Sequence, residues 1–214
     1  MTAKTLTIAQ QKGGAGKTTL AAQLAVAFAV NGKRVALIDI DPQGSLSAWD
    51  RVRNEKGSGS DALHPLTVLA VSGWRVGNEL ARVRRDHDIV IIDSPPHAES
   101  DAKAAVRAAD LVLIPVQPSP MDVWATQPTL NLANDAGVPV LVVLNRVPPR
   151  GNVVAQMRAA LADKGLPVAD TIIGNRVAFA SSMLDGLTVL ETARSSPAAG
   201  EVRALAEEIA ATLP

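Results

Sequence analysis

At 214 residues, with 47% hydrophobic but only 2% aromatic content, the chain has the length of one domain and must build its core from Ala, Val, Leu and Ile. Cysteine and tyrosine are absent, which excludes disulfides, thiolate metal sites, iron–sulfur clusters, cysteine nucleophiles and tyrosine phosphorylation. Basic and acidic residues balance at 21 each, so any nucleic-acid binding must come from a local patch rather than from overall charge.

The start, Met1 to Lys4, carries no signal-peptide pattern and leads straight into an apolar run, so the expected location is cytoplasmic. Strand-like runs recur at Leu6–Ala9, Val35–Ile38, Leu66–Val71, Ile89–Ile92, Leu111–Val116 and Val138–Leu144. Helical patterns fall between most of them, at Lys17–Val30, Val76–Arg85, Asp101–Ala109 and Val123–Ala136. Leu20–Val30 is apolar but too short to span a bilayer. Glu55–Asp61, rich in Gly and Ser, reads as a surface loop. Ala198–Leu213 reads as an amphipathic helix with Val202, Leu205, Ile209 and Leu213 on one stripe. Strands alternating with helices predict one α/β domain with a mostly parallel, doubly wound sheet, whose ligand loops gather at the carboxyl ends of the strands.

Between the first strand and the first helix stands Lys12-Gly13-Gly14-Ala15-Gly16-Lys17-Thr18-Thr19. Gly16-Lys17-Thr18 fits the end of the phosphate-loop pattern, although Gln11 occupies its first glycine position. The glycines allow backbone N–H groups to converge on phosphate oxygens, and the helix opening at Lys17 adds its positive end. Lys17 is placed to reach the β and γ phosphates, and the Thr18 hydroxyl to hold Mg²⁺. Lys12 is then a second lysine with no obvious task.

Lys12 to Thr18 matches K-G-G-x-G-K-[ST] throughout, and here the chain resembles the ParA/MinD group of deviant Walker-A ATPases. The resemblance implies a P-loop fold, bound ATP and Mg²⁺, and weak ATP hydrolysis. It also implies a homodimer closed over two ATP molecules, in which Lys12 contacts the nucleotide of the partner subunit.

The second strand runs into Asp39-Ile40-Asp41-Pro42-Gln43-Gly44, and residues two apart share one side of a strand. Paired carboxylates there need a cation or water between them. The family has the same D-x-D-P-Q-G segment, which implies that Asp41 positions the attacking water and belongs to the magnesium site. Asp39 takes a supporting place in the magnesium site or caps the following turn. His87–Pro96 resembles the family's Walker-B strand, bringing Asp93 to the magnesium shell beside Thr18. Asn145-Arg146 ends a later strand, where relatives carry the same pair for base contact; an ordinary turn Asn is the alternative.

The resemblance reaches across the chain, including Pro118–Asp122 and Leu184–Glu191, and is nearest to short ParA-type positioning ATPases without a helix-turn-helix domain. Such proteins bind non-specific double-stranded DNA of the nucleoid and answer to a small adaptor or cargo protein that stimulates hydrolysis. Arg146, Arg150, Arg158, Lys164 and Arg176 against Asp163 and Asp170 make a local excess of positive charge. Arg150, Arg158, Lys164 and Arg176 are the DNA-contact candidates, with Arg82, Arg84 and Arg85 a second cluster. Gly200–Ile209 carries three acidic residues to one basic, which disfavours a membrane partner. The alternatives are a dethiobiotin-synthetase-like enzyme that phosphorylates a small molecule and a MinD-like ATPase on a membrane surface.

Overall fold

The computed structural model describes residues 3–57, 63–96, 99–150 and 152–214. Its six strands are β1 (Lys4–Ile8), β2 (Val35–Asp39), β3 (Thr67–Ala70), β4 (Ile89–Asp93), β5 (Leu111–Val116) and β6 (Val140–Leu144). They form one sheet in the order β3-β2-β4-β1-β5-β6, with every pairing parallel. β1 sits near the middle. The chain first turns to one side for β2 and β3, and β5 and β6 later build the other, so the crevice lies beyond the carboxyl end of β1.

Period-two burial explains the layers. Leu6, Ile8, Leu37, Ile91, Leu113 and Val143 point into a core covered by α1 (Lys17–Val30) and α10 (Pro197–Thr212). Their neighbours Ile38, Val90, Ile92, Val112, Ile114 and Val142 point to the opposite face. α3 (Val76–Val83), α4 (Glu99–Arg107), α6 (Gln127–Ala136) and α7 (Val153–Ala162) cover that face. α1 is buried on almost every side, which is why its sequence carries little amphipathic pattern.

Three differences from the sequence reading have physical causes. The helix expected over Val123–Ala136 is two helices, α5 (Pro120–Trp124) and α6, broken at Ala125-Thr126. Pro128 lacks the N–H that would bond the carbonyl of Trp124, and the Thr126 hydroxyl donates to the Val123 carbonyl at 2.6 Å instead. The expected loop at Glu55–Asp61 is helical up to Gly57, as the end of α2 (Ser45–Gly57); residues 58–61 lie outside the described residues. α2, α7, α8 (Val177–Leu184) and α9 (Val189–Thr192) have no counterpart among the predicted helices. The stripe of α10 is as expected: Val202, Leu205 and Ile209 are buried and Leu213 packs against the same core. No helix among the described residues is long and apolar enough to cross a membrane.

Candidate functional site: a phosphate loop with two lysines

The loop from Ala9 to Gly16 leaves the central strand and turns into α1. Gly14 and Gly16 have φ of +78° and +88°, a left-handed conformation that other residues adopt only at a cost. A Cβ on Gly16 would also lie 2.6 Å from the Asn145 amide nitrogen. Neighbouring strand ends brace the loop. Gln117, after β5, donates to the Gly14 carbonyl at 3.0 Å, and Asn145, after β6, donates to the Ala15 carbonyl at 2.8 Å. The carbonyls are thereby tied back, and the cavity in front is lined by Gly13, Gly14, Gly16, Lys17, Thr18 and Thr19, with Asp41 and Arg146 opposite. Its volume is about 560 Å³.

The two lysines differ sharply in setting. Lys17 is 7% exposed, and its Nζ donates to the Gln10 carbonyl at 3.0 Å. Burial lowers its pKa, and the charges of Asp93 and Asp41 work against that. Lys12 has a side chain 37% exposed, and its Nζ reaches Asp122 at 2.5 Å within the same chain. Asp122, on α5, is 2% exposed and also accepts from the Ser119 hydroxyl at 2.7 Å, while its Oδ1 has no partner. The structure thus places Lys12 at the rim of the loop, held by a carboxylate that sequence reading did not single out.

The three aspartates divide their tasks. Asp93 ends β4, is 1% exposed, and has no well-formed hydrogen bond, the Thr18 hydroxyl being the one donor beside its carboxylate among the described residues. Burial is the main reason its pKa is pushed up to about 7; the repulsion of Asp39 and Asp41 adds to it, and the nearby Thr18 hydroxyl and Lys17 ammonium counter it. A buried, unpartnered carboxylate beside a threonine hydroxyl and a lysine is a donor set suited to a hydrated Mg²⁺. Asp39 has protein donors on both oxygens. Its Oδ1 accepts from the Asp41 N–H at 3.1 Å, and its Oδ2 from the N–H and hydroxyl of Ser47 at 2.9 and 2.7 Å. Its lone pairs anchor the Asp41–Gly44 turn and the first turn of α2, the capping role left open from the sequence. Asp41 remains half-buried on the cavity wall, with Oδ1 accepting from the Gln43 N–H at 3.0 Å.

On the β6 side, Asn145 and Arg146 line a smaller cavity of about 160 Å³ with Leu20, Gln23, Ile173 and Phe179. Asn145 is largely turned inward, with its Oδ1 accepting from the Arg146 N–H at 3.0 Å as well as its bond to the loop. It acts first as a brace, and the apolar walls offer the surface on which a base would lie. Arg146 is the one described non-glycine residue with positive φ, at +54°, and is exposed at the border of the two cavities.

Two of the four DNA-contact candidates have partners within the chain. Arg176 is bound to Glu201 of α10 at 2.5 Å, and Arg158 donates to the carbonyls of Ala169 and Asp170. In the second cluster, Arg84 is tied to Thr5 and Asp110, and Arg82 to Glu79. Arg150 and Lys164 are exposed and form no ion pair among the described residues.

A family model described as the CobQ/CobB/MinD/ParA nucleotide binding domain matches residues 6–189. The carboxysome distribution protein A of Halothiobacillus neapolitanus is 31% identical across 96% of this chain and 95% of its own length. The chromosome-partitioning ATPase Soj of Thermus thermophilus is 31% identical with the same coverage. The cell division ATPase MinD of Pyrococcus furiosus shares the fold at a TM-score of 0.80 and 22% identity, covering 98% of this chain and 99% of that one. Joined to the Lys12–Thr18 loop at the end of a central parallel strand, these matches make the chain a member of the CobQ/CobB/MinD/ParA nucleotide-binding family, in its ParA/MinD group.

Proposed function

We propose that the chain is a Mg²⁺-dependent ATPase switch that dimerises on binding ATP, holds non-specific DNA as a dimer, and positions a cargo until a partner protein stimulates hydrolysis. The observation that carries this reading is the pair of lysines in one loop. Lys17 is buried against the loop and can serve only a phosphate held there. Lys12 stands at the rim on an exposed side chain, so that once free of Asp122 it can reach a nucleotide held by a second copy. The match to positioning and partitioning ATPases over nearly the whole chain supports the same conclusion.

In this reading the loop amides and Lys17 bind the triphosphate, and Thr18 and Asp93 hold the hydrated Mg²⁺, which neutralises charge building on the phosphates. Asp41 orients the attacking water in line with the γ phosphate. Asp39 fixes the turn that carries Asp41. Lys12 of the second copy adds positive charge as the bond to the leaving oxygen lengthens. Turnover then depends on dimers, which suits a timer. Membrane attachment through α10 is disfavoured, because its apolar stripe is already packed against the core. The basic side chains left for DNA are Arg150 and Lys164, together with Arg146 and Arg85.

Light scattering on the Asp41→Ala variant with ATP and Mg²⁺ tests the switch: a dimer is expected, and a monomer at saturating nucleotide would overturn it. For DNA, Lys164→Ala should flatten the salt dependence of duplex binding by about 0.9 in log–log slope per dimer-contacted phosphate lost. Arg176→Ala should not, because Glu201 already holds that guanidinium.

A further inference from the structure

Residues 185–191 supply no group to the nucleotide cavity, yet they are bound to both helices that shape it. On one side lies α1, which opens at Lys17. Its Gln23, 1% exposed, accepts from the Val189 N–H at 3.0 Å and donates to the Ser182 hydroxyl at 3.4 Å. On the other side lies α2. Gly186, with φ of +68°, is pressed so close to it that a Cβ there would lie 2.6 Å from the Arg53 Cα.

The Arg53 guanidinium is wholly engaged in this contact. It donates to the two oxygens of Glu191 at 2.6 and 3.0 Å, and to the carbonyls of Gly186 and His64 at 3.2 and 3.0 Å. It also lies 5.3 Å from the centroid of the Trp49 ring, whose N–H donates to the Leu187 carbonyl at 3.4 Å. Glu191 in turn accepts from the Thr188 N–H at 2.9 Å, which caps α9. A buried ion pair of this kind adds little stability over apolar residues of the same shape. What the guanidinium fork adds is one fixed geometry on the carboxylate.

That geometry governs where α2 lies. The turn that carries Asp41 is joined to the helix by backbone bonds. The Gly44 N–H donates to the Asp41 carbonyl and the Ala48 N–H to the Gly44 carbonyl, both at 2.8 Å. Ala48, Trp49 and Val52 continue along the wall of the nucleotide cavity. A shift of α2 is therefore passed on to Asp41, with the helix as the rigid element.

We propose that Arg53 and Glu191 are positioning residues for ATP hydrolysis: their ion pair, braced by Gly186, locks α2 to the segment that Gln23 ties to α1, and so holds Asp41 in register with the phosphates over Lys17. This rests on the reading of Asp41 as the residue that orients the attacking water.

Single-turnover hydrolysis of ATP with Mg²⁺, and calorimetry with a non-hydrolysable analogue, test this on the full chain. Glu191→Gln keeps an oxygen for the Thr188 N–H and removes the charge that faces Arg53. Hydrolysis should slow about tenfold, as a small misplacement would make it, while analogue affinity stays within about twofold. Arg53→Lys keeps the cation but loses the fork; it should show the same split, and it decides the matter if Glu191→Gln does not fold. In an Asp41→Ala background, Glu191→Gln should slow the residual hydrolysis no further, because no carboxylate is left to misplace. Lys56→Ala, which breaks the exposed ion pair between α2 and Asp185, should leave the rate unchanged. A loss of analogue binding as large as the loss of rate, or a further tenfold loss in the Asp41→Ala background, overturns the positioning role. Slow hydrolysis by Asp41→Ala with wild-type rates in Glu191→Gln and Arg53→Lys sinks that role alone. Wild-type hydrolysis by Asp41→Ala would sink the water-orienting reading, and this proposal with it.

Discussion

Replacing Asp93 by Asn should stabilise the nucleotide-free protein while destroying its use of Mg²⁺. In the folded chain the Asp93 carboxylate is buried without a hydrogen-bond partner and its pKa is pushed from 3.8 to about 7. An acid whose folded pKa is raised binds its proton more tightly folded than unfolded. Stability is therefore greatest below pH 4 as far as this group is concerned, and falls as pH climbs from about 4 to about 7. At about 1.4 kcal/mol per pH unit, three units amount to roughly 4 kcal/mol lost by pH 8. Asn carries no charge and avoids that loss, but it also gives up the attraction between Asp93 and Lys17, so a net gain of roughly 2 kcal/mol is expected at pH 8. Urea unfolding without nucleotide or metal, at pH 8 and at pH 5, reads the difference. The gain should shrink to about 1 kcal/mol or less at pH 5, where wild-type Asp93 is protonated in the folded state. No gain at pH 8, or one that does not change with pH, would refute the picture of a buried charge that Lys17 and Thr18 compensate only in part.

Asp122→Asn weakens the hold on Lys12 by about 1 kcal/mol, since the lysine end of the pair is well solvated. Light scattering against ATP concentration should show dimers forming at roughly fivefold lower nucleotide, and an unchanged or higher midpoint would mean that Lys12 does not have to leave. Gly16→Ala places a methyl group 2.6 Å from the Asn145 amide in a left-handed backbone, so calorimetry should find ATP-analogue binding abolished. Gly13→Ala, whose Cβ would meet nothing within 4 Å, should retain it. Arg53 and Glu191 form an ion pair with both side chains 4% exposed; Arg53→Met strands the carboxylate and should cost about 3–5 kcal/mol in urea unfolding. Adding Glu191→Leu removes the stranded charge but also the bonds from Thr188 that cap α9, so it should recover only part of that loss, and a double variant no more stable than Arg53→Met would show that the stranded charge is not the main cost.

The sequence was most readable where one residue type had one physical task. β2 and β4 are runs of aliphatics because both faces of the sheet are covered, and each ends on an aspartate that marks the site. α2 escaped notice because its polar surface hides the few apolar contacts of Leu46 and Trp49, and because the Asp39 bonds to its first turn come from eight residues earlier. Long-range pairing was out of reach. Arg53 meets Glu191 across 138 positions, and Lys12 meets Asp122 across 110. The pairing within the basic patch was hidden for the same reason: Arg176 counts as free charge along the chain, yet Glu201 lies beside it once α10 is folded against α1.

What separates the two lysines is burial rather than sequence position. Both belong to one eight-residue loop, and both carry the same ammonium group. Lys17 pays for its burial with a lowered pKa and is held in place by a backbone carbonyl, so a phosphate within the loop is the ligand that best restores its charge. Lys12 keeps its hydration and is bound by a side chain that it can leave. The same contrast holds for the carboxylates, with Asp93 unpartnered inside and Asp41 open on the wall. An inner pair built for nucleotide and metal and an outer pair facing solvent are what a site needs if its ligand is bound by one chain and its reaction is completed by another.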